Sequence, residues 1–247
     1  MWDRQAMANA LPDSSRLLRA LDVTWAPAEF VQTDGWTVRR GLGGGNRVSA
    51  TSGSGDISIA ERVQRDLGQI SLFQLKPGQD TLDAELEAAG YALHEPVLFY
   101  AAPVANLAGT QSHMAAAYRC HCRPAIMEEI WASGGIGPER LAIMDRVAEP
   151  KKLLLSRAGD RPAGTAFVAV DQDVAMIHAI EVLPQYRRLG SAILLMEVAA
   201  RFAQEHGAEW LALAVTRTNV PARALYEKLG MLECGAYHYR IKTGDTS

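Results

Sequence analysis

The spacing of apolar and polar positions predicts alternating strands and helices in the carboxyl-terminal half of the chain. Turn residues at 159–162 and 171–173 join three of the strands into an antiparallel meander. In order, the predicted elements are a helix at 126–131 that ends at Gly134-Gly135, strands at 153–156, 164–170 and 176–183, a helix that begins near 190, a strand at 210–215, a helix that begins at Asn219 and a strand at 237–241. The last strand alternates as an edge strand would.

The amino-terminal half contains a second copy of the closing pattern. Residues 82–91 and the strand after them align with residues 222–231 and the final strand, and each copy consists of a helix, a glycine at its carboxyl end and a strand. The segment Ala101 to Thr110 is predicted to be a linker between domains 1–105 and 110–247. The identical positions of the two copies are Ala84 and Ala224, Glu87 and Glu227, and Gly90 and Gly230.

The residues Pro184 to Ala192, between a predicted strand and a predicted helix, are typical of a phosphate-binding turn. A helix amino terminus leaves its first backbone N–H groups without internal partners and carries a partial positive charge, so a pyrophosphate there accepts several hydrogen bonds. Gly190 and Ala192 keep the approach to these amides open because neither has a bulky side chain. Arg187 and Arg188 add positive charge beside the bound anion.

This turn and the helix at Asn219 together resemble the GNAT superfamily of acetyl-CoA-dependent N-acetyltransferases. The turn departs from the usual family pattern at Arg188, where glycine is common, although the backbone amide that contacts phosphate is the same. The matching residues are Arg187, Gly190 and Ala192 in the first family motif, and Asn219, Ala222, Tyr226 and Gly230 in the second.

The amino-terminal half looks like the first copy of tandem GNAT proteins, in which a degenerate copy packs on a working one. Residues 51–56, before a predicted helix at 57–67, lack the Arg-x-x-Gly-x-Ala pattern, so we expect one active site per chain. The run Gly41 to Asn46 has no Gly-Lys-Ser/Thr and is expected to be a hairpin turn between strands at 36–40 and 46–49. The resemblance implies an α/β fold with a mixed (α+β) sheet and two GNAT-like halves, the carboxyl-terminal one a complete acetyl-CoA-binding fold.

The resemblance also implies a reaction: acetyl transfer from acetyl-CoA to a primary amine of a small molecule or peptide, by direct attack in a ternary complex. A backbone N–H of Val182 or Leu183 is expected to hold the acetyl carbonyl, and the Tyr226 hydroxyl to donate a proton to the leaving thiolate. Asn219 also suits helix capping, and Tyr226 also lies on an apolar helical stripe. The residues expected to bind acetyl-CoA are Val182, Leu183, Arg187, Arg188, Leu189, Gly190, Ser191, Ala192, Asn219 and Tyr226.

Either Glu181 or His178 is expected to take the proton from the amine. Glu181 is favoured as the catalytic base because it lies nearer the expected position of the carbonyl. A salt-bridged Glu181, a hydrogen-bonded core His178 and a water chain without a single base are the alternatives. Strand alternation predicts two faces, one with His178, Ile180 and Val182 and the other with Ala179, Glu181 and Leu183.

Composition and charge disfavour several other classes. The 247 residues, 48% of them apolar, suffice for one or two packed domains, and a net charge of -3 provides no general attraction to nucleic acid or anionic lipid. Because no apolar run approaches the roughly 20 residues of a membrane span and residues 1–5 lack a secretory signal, we expect a cytoplasmic protein with no nucleic-acid or membrane partner. The three cysteines are expected to be reduced, and Cys120-His121-Cys122 with His113 has the wrong spacing for zinc.

Two alternative functions come from other classes of protein. A non-catalytic acyl-CoA sensor or interaction module would keep the turn but lack turnover, so that Tyr226→Phe would be silent. A dinucleotide-binding domain is disfavoured because the chain lacks Gly-x-Gly-x-x-Gly with a following acidic residue. Selection of the acceptor amine is expected to involve residues 115–136 and the linker. The sequence leaves the oligomeric state open, with a homodimer among the options.

Overall fold

The computed structural model describes residues 11–109 and 116–242. The elements of the first half are α1 (Ser14–Thr24), β1 (Glu29–Thr33), β2 (Trp36–Arg40), α2 (Asn46–Ser49), β3 (Thr51–Gly53), α3 (Ile57–Asp66), β4 (Leu72–Leu75), α4 (Asp80–Ala88), β5 (Tyr91–Pro103) and α5 (Val104–Leu107). Those of the second half are β6 (Ala117–Cys120), α6 (Ala125–Ser133), α7 (Pro138–Arg146), β7 (Lys151–Ala158), β8 (Arg161–Asp171), β9 (Val174–Val182), a 3-10 turn (Pro184–Tyr186), α8 (Ser191–Glu205), β10 (Trp210–Thr216), α9 (Val220–Lys228) and β11 (Leu232–Lys242).

The strands of the described residues form one mixed sheet in the order β1-β2-β3-β4-β11-β5-β10-β9-β8-β7-β6. Neighbours are antiparallel except β3 with β4 and β9 with β10, which are parallel. The two halves exchange their last strands, because β11 pairs with β4 and β5, and β5 pairs with β11 and β10. Each half therefore supplies a strand to the sheet of the other, and the sheet is continuous between them.

The 13-residue strand β5 lies at the centre of this exchange. Its residues 97–102 alternate between the apolar cores on the two faces of the sheet, and each of them is at most 2% exposed. A strand that is buried on both faces is apolar throughout, which explains the run Val-Leu-Phe-Tyr-Ala-Ala. Burial of this strand holds the two halves together.

Helices cover both faces of the sheet. Helices α1, α2, α6 and α7 contribute to one core, and α5, α8 and α9 contribute to the core on the opposite face. We call these the α1 face and the α8 face. Helices α3 and α4 pack over β2, β4 and the start of β5 in a third apolar cluster. No helix in residues 11–109 or 116–242 combines the length and the apolar character needed to cross a membrane.

The predicted repeat is confirmed, whereas the predicted linker is wrong. Helices α4 and α9 are each followed by a glycine with positive φ, +86° at Gly90 and +81° at Gly230, and then by a long strand. Residues 101–103 belong to β5 and residues 104–107 form α5. Thr110, at the end of the predicted linker, lies outside the described residues. Proline and glycine here mark a strand end and a short helix rather than a free connection.

The final strand is not an edge strand, contrary to its polar alternation. Strand β11 lies inside the sheet, and its polar side chains bind α4: His238 Nε2 lies 2.9 Å and Arg240 Nε 2.7 Å from Asp83 Oδ1. The prediction at 46–49 is also wrong, because these residues form the single-turn helix α2. The glycine run before α2 therefore joins β2 to a helical turn, and β3 follows.

Candidate active site

Strands β9 and β10 separate after a short paired stretch. Their parallel pairing joins residues 174–176 to residues 210–212 and stops there, although both strands continue. A β-bulge interrupts β9 beyond this point, because Ala179 and Ile180 together oppose Ala166 of β8. Ala179 has a φ of +51°. A bulge bends its strand, so β9 turns away from β10 and a gap opens that we call the β9–β10 cleft.

The bulge overturns the simple alternation predicted for β9. His178 Nε2 lies 2.9 Å from Thr24 Oγ1 of α1. Glu181 packs against Gly134 at the end of α6, where an added β-carbon would lie 2.2 Å from Glu181 Oε2. One extra residue shifts every later side chain to the other face of a strand. His178 and Glu181 therefore share the α1 face instead of lying on opposite faces.

The predicted phosphate-binding turn lies where the cleft meets the amino terminus of α8. Helix α8 begins at Ser191, and Gly190 precedes it with a φ of +89°, a conformation that favours glycine. The backbone amides of residues 188–193 donate no hydrogen bond to any group in the described part of the chain. A β-carbon on Gly190 would meet no atom within 4 Å, and Leu189 is 60% exposed. Unpaired amides thus lie beside open space at the positive end of the helix dipole.

The two arginines of the turn differ in their contacts. Arg187 folds back on β9, where its Nε donates to the Val182 carbonyl at 3.0 Å and its Nη2 lies 3.3 Å from Glu181 Oε1. Glu181 is therefore in an ion pair, which is one of the alternatives weighed for it from the sequence. Arg188 is exposed and has a φ of +66°. Ser191 is buried and Ala192 half-buried at the start of α8.

The backbone amides of Val182 and Leu183 point to opposite sides of β9. Leu183 N–H donates to the Ala163 carbonyl at 2.9 Å, on the side of β8. Successive peptide groups of a strand point in opposite directions, so Val182 N–H faces the β9–β10 cleft. The Val182 carbonyl also points away from β8, since it accepts a hydrogen bond from Arg187. Of the two amides, only that of Val182 points into the cleft.

Helix α9 begins as the sequence predicts. Asn219 Oδ1 accepts a hydrogen bond from Ala222 N–H at 3.2 Å, and Pro221 occupies the first turn. This capping accounts for the choice of asparagine at the start of the helix. The Asn219 side chain is at the surface.

Tyr226 projects from α9 into the core of the α8 face. Its side chain is 7% exposed, and its ring lies 5.9 Å from the ring of Tyr100. The Tyr226 hydroxyl makes no hydrogen bond to any described group. Burial raises the pKa of Tyr226 to about 12, with the Arg47 guanidinium acting in the opposite direction. The phenol is therefore protonated at neutral pH and has a proton to donate.

A cavity of about 290 Å³ meets the cleft from the α1 face. It touches Ala179 at the bulge and Thr216 at the end of β10. We call it the inter-half cavity, because both halves of the chain form its walls. The cleft therefore opens to α8 and α9 on one face and to this cavity on the other. The remaining lining residues are Trp25, Gly44, Gly45, Asn46, Arg47, Glu95 and Val97 from the first half, and Ile136 and Arg140 from the second.

Arg47 connects the inter-half cavity to the cleft. Its Nη2 donates to the Ala214 carbonyl of β10 at 2.8 Å. Arg217 N–H binds the Pro96 carbonyl on the β5 side, so the Ala214 carbonyl, three residues earlier, points to the β9 side. The guanidinium thus lies at the mouth of the cleft. Its charge opposes protonation of His178 and favours ionisation of the Tyr226 phenol.

His178 is a neutral imidazole in the core. The Thr24 hydroxyl donates to the Ala20 carbonyl at 2.6 Å, so His178 carries its proton on Nε2 and donates it to Thr24. Its Nδ1 is buried without a hydrogen-bond partner among the described groups. Burial and, second, the charge of Arg47 hold the pKa of His178 well below its usual range. This is the hydrogen-bonded core histidine that the sequence left as an alternative to catalysis.

The cysteine cluster belongs to another part of the sheet. Cys120, His121 and Cys122 line a second cavity of about 310 Å³, which does not reach the cleft residues Ala179 or Thr216. Among the residues that the structure describes, no group of three or more His, Cys, Asp or Glu side chains could hold a metal ion. His113, considered with this cluster, lies outside the described residues. The three cysteines are free thiols.

The family of the second half follows from its sequence. Residues 123–231, which include the cleft strands, the turn and Tyr226, match the model of the Acetyltransferase (GNAT) family. A protein of Bacillus subtilis (strain 168) described as an uncharacterized N-acetyltransferase, YobR, is 26% identical in an alignment that covers 94% of this chain and 100% of its own. Residues 123–231 are therefore similar to GNAT acetyltransferases, a family whose acyl donor is acetyl-CoA.

Solved structures share the fold across both halves. A GCN5-related N-acetyltransferase from Kribbella flavida superposes with a TM-score of 0.69 at 18% identity and covers 95% of this chain and 97% of its own. A tandem GNAT protein from the clavulanic acid biosynthesis pathway superposes with a TM-score of 0.61 at 11% identity, over 94% of this chain and 90% of its own. The tandem GNAT fold predicted from the sequence is confirmed.

Sequence reasoning missed the part that the first half takes in the site. Trp25, Arg47 and Glu95 lie far apart along the chain and meet only in the inter-half cavity. The glycine-rich run at 41–45 was the one feature of the sequence that could have indicated this cavity wall. A β-carbon on Gly44 would lie 2.7 Å from an atom of Ile143 in α7, so this glycine allows close packing of the cavity wall rather than only a turn.

Proposed function

We propose that the chain transfers the acetyl group of acetyl-CoA to a primary amine of a small molecule or peptide, by direct attack in a ternary complex. The supporting observation is that one cleft opens to both faces of the sheet. The unpaired amides of residues 188–193 lie on the side of α8, and the inter-half cavity lies on the side of α1. Donor and acceptor can therefore be bound together, so no covalent enzyme intermediate is needed.

The donor side fits a diphosphate followed by an extended arm. The free amides of residues 188–193 bind the pyrophosphate, with the exposed Arg188 as a charged contact. Val182 N–H, directed into the cleft, donates to the bound donor. The Leu183 amide is assigned no role, since it donates to Ala163. The other residues proposed to line the donor site are Arg187, Leu189, Gly190, Ser191, Ala192, Asn219 and Tyr226.

Acetyl-CoA supplies an activated thioester, and acetyl transfer forms a C–N bond, breaks the C–S bond, takes a proton from the amine and gives one to the sulfur. Tyr226, protonated at neutral pH, donates to the departing sulfur from the α8 face. Glu181, on the α1 face with the acceptor, receives the amine proton through water. His178 is assigned no transfer of protons, because burial keeps it neutral and its Nε2 is bound to Thr24.

We also propose that residues 110–247 carry the working site and residues 1–105 form a degenerate copy. Helix α3 occupies in the first half the place of α8 in the second, after β3 instead of β9. Its amino terminus is capped by Asp56, whose carboxylate accepts Ser58 N–H at 2.9 Å. A carboxylate at this position occupies an amide that a phosphate would need and repels the phosphate. One donor site per chain is therefore expected.

Gly190→Glu tests the proposal, with acetyl-CoA affinity measured by calorimetry. The new carboxylate would lie among the free amides and repel the diphosphate, so we expect affinity to fall by 100-fold or more, roughly 3 kcal/mol. Gly207→Glu is the matched control. Gly207, with a φ of +79° and no atom within 4 Å of an added β-carbon, lies after the other end of α8 and shares the backbone strain. Wild-type affinity in Gly190→Glu would refute the donor site.

A turnover assay distinguishes the proposed acetyltransferase from a non-catalytic acyl-CoA sensor. The wild type is assayed for release of the coenzyme A thiol with polyamines, aminoglycosides, amino acids and amino-terminal peptides. Acetylation of any of these amines supports the transferase. Tight binding of acetyl-CoA with no acetylated product in the whole panel would instead support the non-catalytic acyl-CoA sensor.

A further inference from the structure

We propose that the acceptor is a small amine that carries a carboxylate or phosphate close to its amino group, and that it binds in the inter-half cavity. This inference rests on the proposed acetyl transfer and adds the chemical class of the acceptor. It assigns the degenerate first half a direct part in substrate selection.

The position of the cavity is the first argument. A reacting amine must reach the thioester in the cleft from the face opposite α8 and α9, because the donor occupies that side. The inter-half cavity lies on the α1 face and touches both cleft strands, at Ala179 and at Thr216. An amine in this cavity therefore approaches the thioester without displacing the donor.

The charges in the wall are the second argument. Arg47 and Arg140 contribute two positive charges and Glu95 one negative charge. Arg47 is bonded to the Ala214 carbonyl. The Arg140 guanidinium has no hydrogen bond or ion pair with any described group, so all of its donors are available to a ligand. The surplus of positive charge favours an acceptor with an anionic group and disfavours a polycation.

The arrangement of the charges orients the acceptor. Glu95 immediately precedes Pro96, whose carbonyl accepts a hydrogen bond from Arg217 N–H just after the end of β10. It lies two residues before Val97, which pairs with Thr216. Glu95 is therefore near the cleft, where it attracts the ammonium end of the acceptor, and its Oε2 is fixed by Asn46 Nδ2 at 2.8 Å.

Arg140 lies on α7 across the cavity, beside Gly45, and is placed to bind the anionic end.

The size of the cavity is the third argument. About 290 Å³ is at the lower limit of ligand pockets, which span roughly 300–1,000 Å³. Trp25, Val97 and Ile136 form its apolar walls. An amino acid or an aminoalkyl phosphate matches this volume, whereas an aminoglycoside or a peptide would extend far outside it.

The test compares acceptors that differ in the anionic group alone. Acetylation is assayed by thiol release under saturating acetyl-CoA for three pairs of amines. In each pair the first member carries the anionic group: serine with ethanolamine, lysine with 1,5-diaminopentane, and O-phosphoethanolamine with ethanolamine. We expect kcat/KM to be about 10- to 100-fold higher for the anionic member, the range for a charge-assisted hydrogen bond. The carboxylate and phosphate pairs show which anion the site prefers.

Substitution of Arg140 locates the effect. Arg140→Gln should remove most of the preference and Arg140→Glu should reverse it towards 1,5-diaminopentane, with the calorimetric affinity for acetyl-CoA unchanged. Arg62→Gln, an exposed arginine on α3, is the control for loss of one surface charge. If ethanolamine and 1,5-diaminopentane are acetylated as well as their anionic partners, or if Arg140→Gln keeps the wild-type preference, the inference fails and acetyl transfer stands. If acetyl-CoA binds but no amine is acetylated, both proposals fall.

Discussion

The substitution Tyr226→Phe tests whether the Tyr226 hydroxyl takes part in catalysis or whether the side chain only packs in the core. The ring lies in the α8-face core beside Tyr100, and phenylalanine preserves this packing. The Tyr226 hydroxyl has no hydrogen-bond partner in the described residues, so its removal leaves no buried group newly unpaired. We expect the free energy of unfolding to change by less than about 0.5 kcal/mol. Any loss of activity then reports on chemistry.

The size of the catalytic effect follows from the pKa of the phenol. With the pKa of Tyr226 at about 12 and that of a free thiol near 8.5, complete proton transfer to the thiolate is uphill by roughly 5 kcal/mol. The same step would cost about 2 kcal/mol with an unperturbed tyrosine. The proton therefore moves only as charge develops on sulfur. We expect kcat to fall about 100-fold in Tyr226→Phe, at the low end of general acid catalysis.

Tyr100→Phe is the matched control, because its effects should be the opposite. The Tyr100 hydroxyl donates to Glu227 Oε1 at 2.9 Å and lies 3.3 Å from Arg223 Nε. Its removal should lower the free energy of unfolding by about 1 kcal/mol and leave kcat unchanged. Stability is measured by urea denaturation and kcat by thiol release. A wild-type kcat in Tyr226→Phe would refute the role of Tyr226 as proton donor.

The remaining predictions concern stability and assembly. The pKa of His178 is depressed in the folded protein, so below about pH 6.5 the unfolded chain binds a proton that the folded chain does not. Stability should fall as the pH drops, by up to about 1.4 kcal/mol per pH unit from this group, and His178→Phe should show a flatter dependence in urea denaturation between pH 5 and 7.5. An unchanged slope would mean that the imidazole has the same pKa in the folded and the unfolded chain, contrary to this prediction. A fragment of residues 110–247 lacks β5, the strand that pairs with both β10 and β11. We expect the circular dichroism spectrum of this fragment to be that of an unfolded chain. Co-expression with residues 1–109 should restore a soluble, folded protein. A soluble, active fragment alone would contradict this.

The phosphate-binding turn and the caps of α8 and α9 could be predicted because their causes are local. Gly190 adopts a φ of +89° immediately before α8, and Asn219 caps the first turn of α9. Each depends on residues within a few positions of it along the chain. The repeat of helix, glycine and strand was visible for the same reason. Its two copies have matching local chemistry at Gly90 and Gly230.

The bulge in β9 could not be predicted in this way. Its sequence, Met-Ile-His-Ala-Ile-Glu-Val, contains no glycine or proline to mark a bulge, and the positive φ falls on Ala179, a residue with no preference for it. The bulge is stabilised by distant contacts instead. Trp131 Nε1 of α6 donates to the Ala179 carbonyl at 2.8 Å, and β8 fixes the register on either side. The prediction that His178 and Glu181 lie on opposite faces is wrong for this reason.

What the sequence determined by itself was most of the helices and strands of the second half, without β6 and α7, together with the phosphate-binding turn between β9 and α8 and the resemblance to the GNAT superfamily. These depend on periodicity, capping and glycine conformation, which act over a few residues. What only the tertiary structure decided was the exchange of β5 and β11, the bulge that opens the cleft, and the meeting of Arg47, Glu95 and Arg140 in one cavity. Strand partners and cavity walls are chosen by which buried surfaces pack together across the whole chain, and that choice leaves no short-range pattern to read.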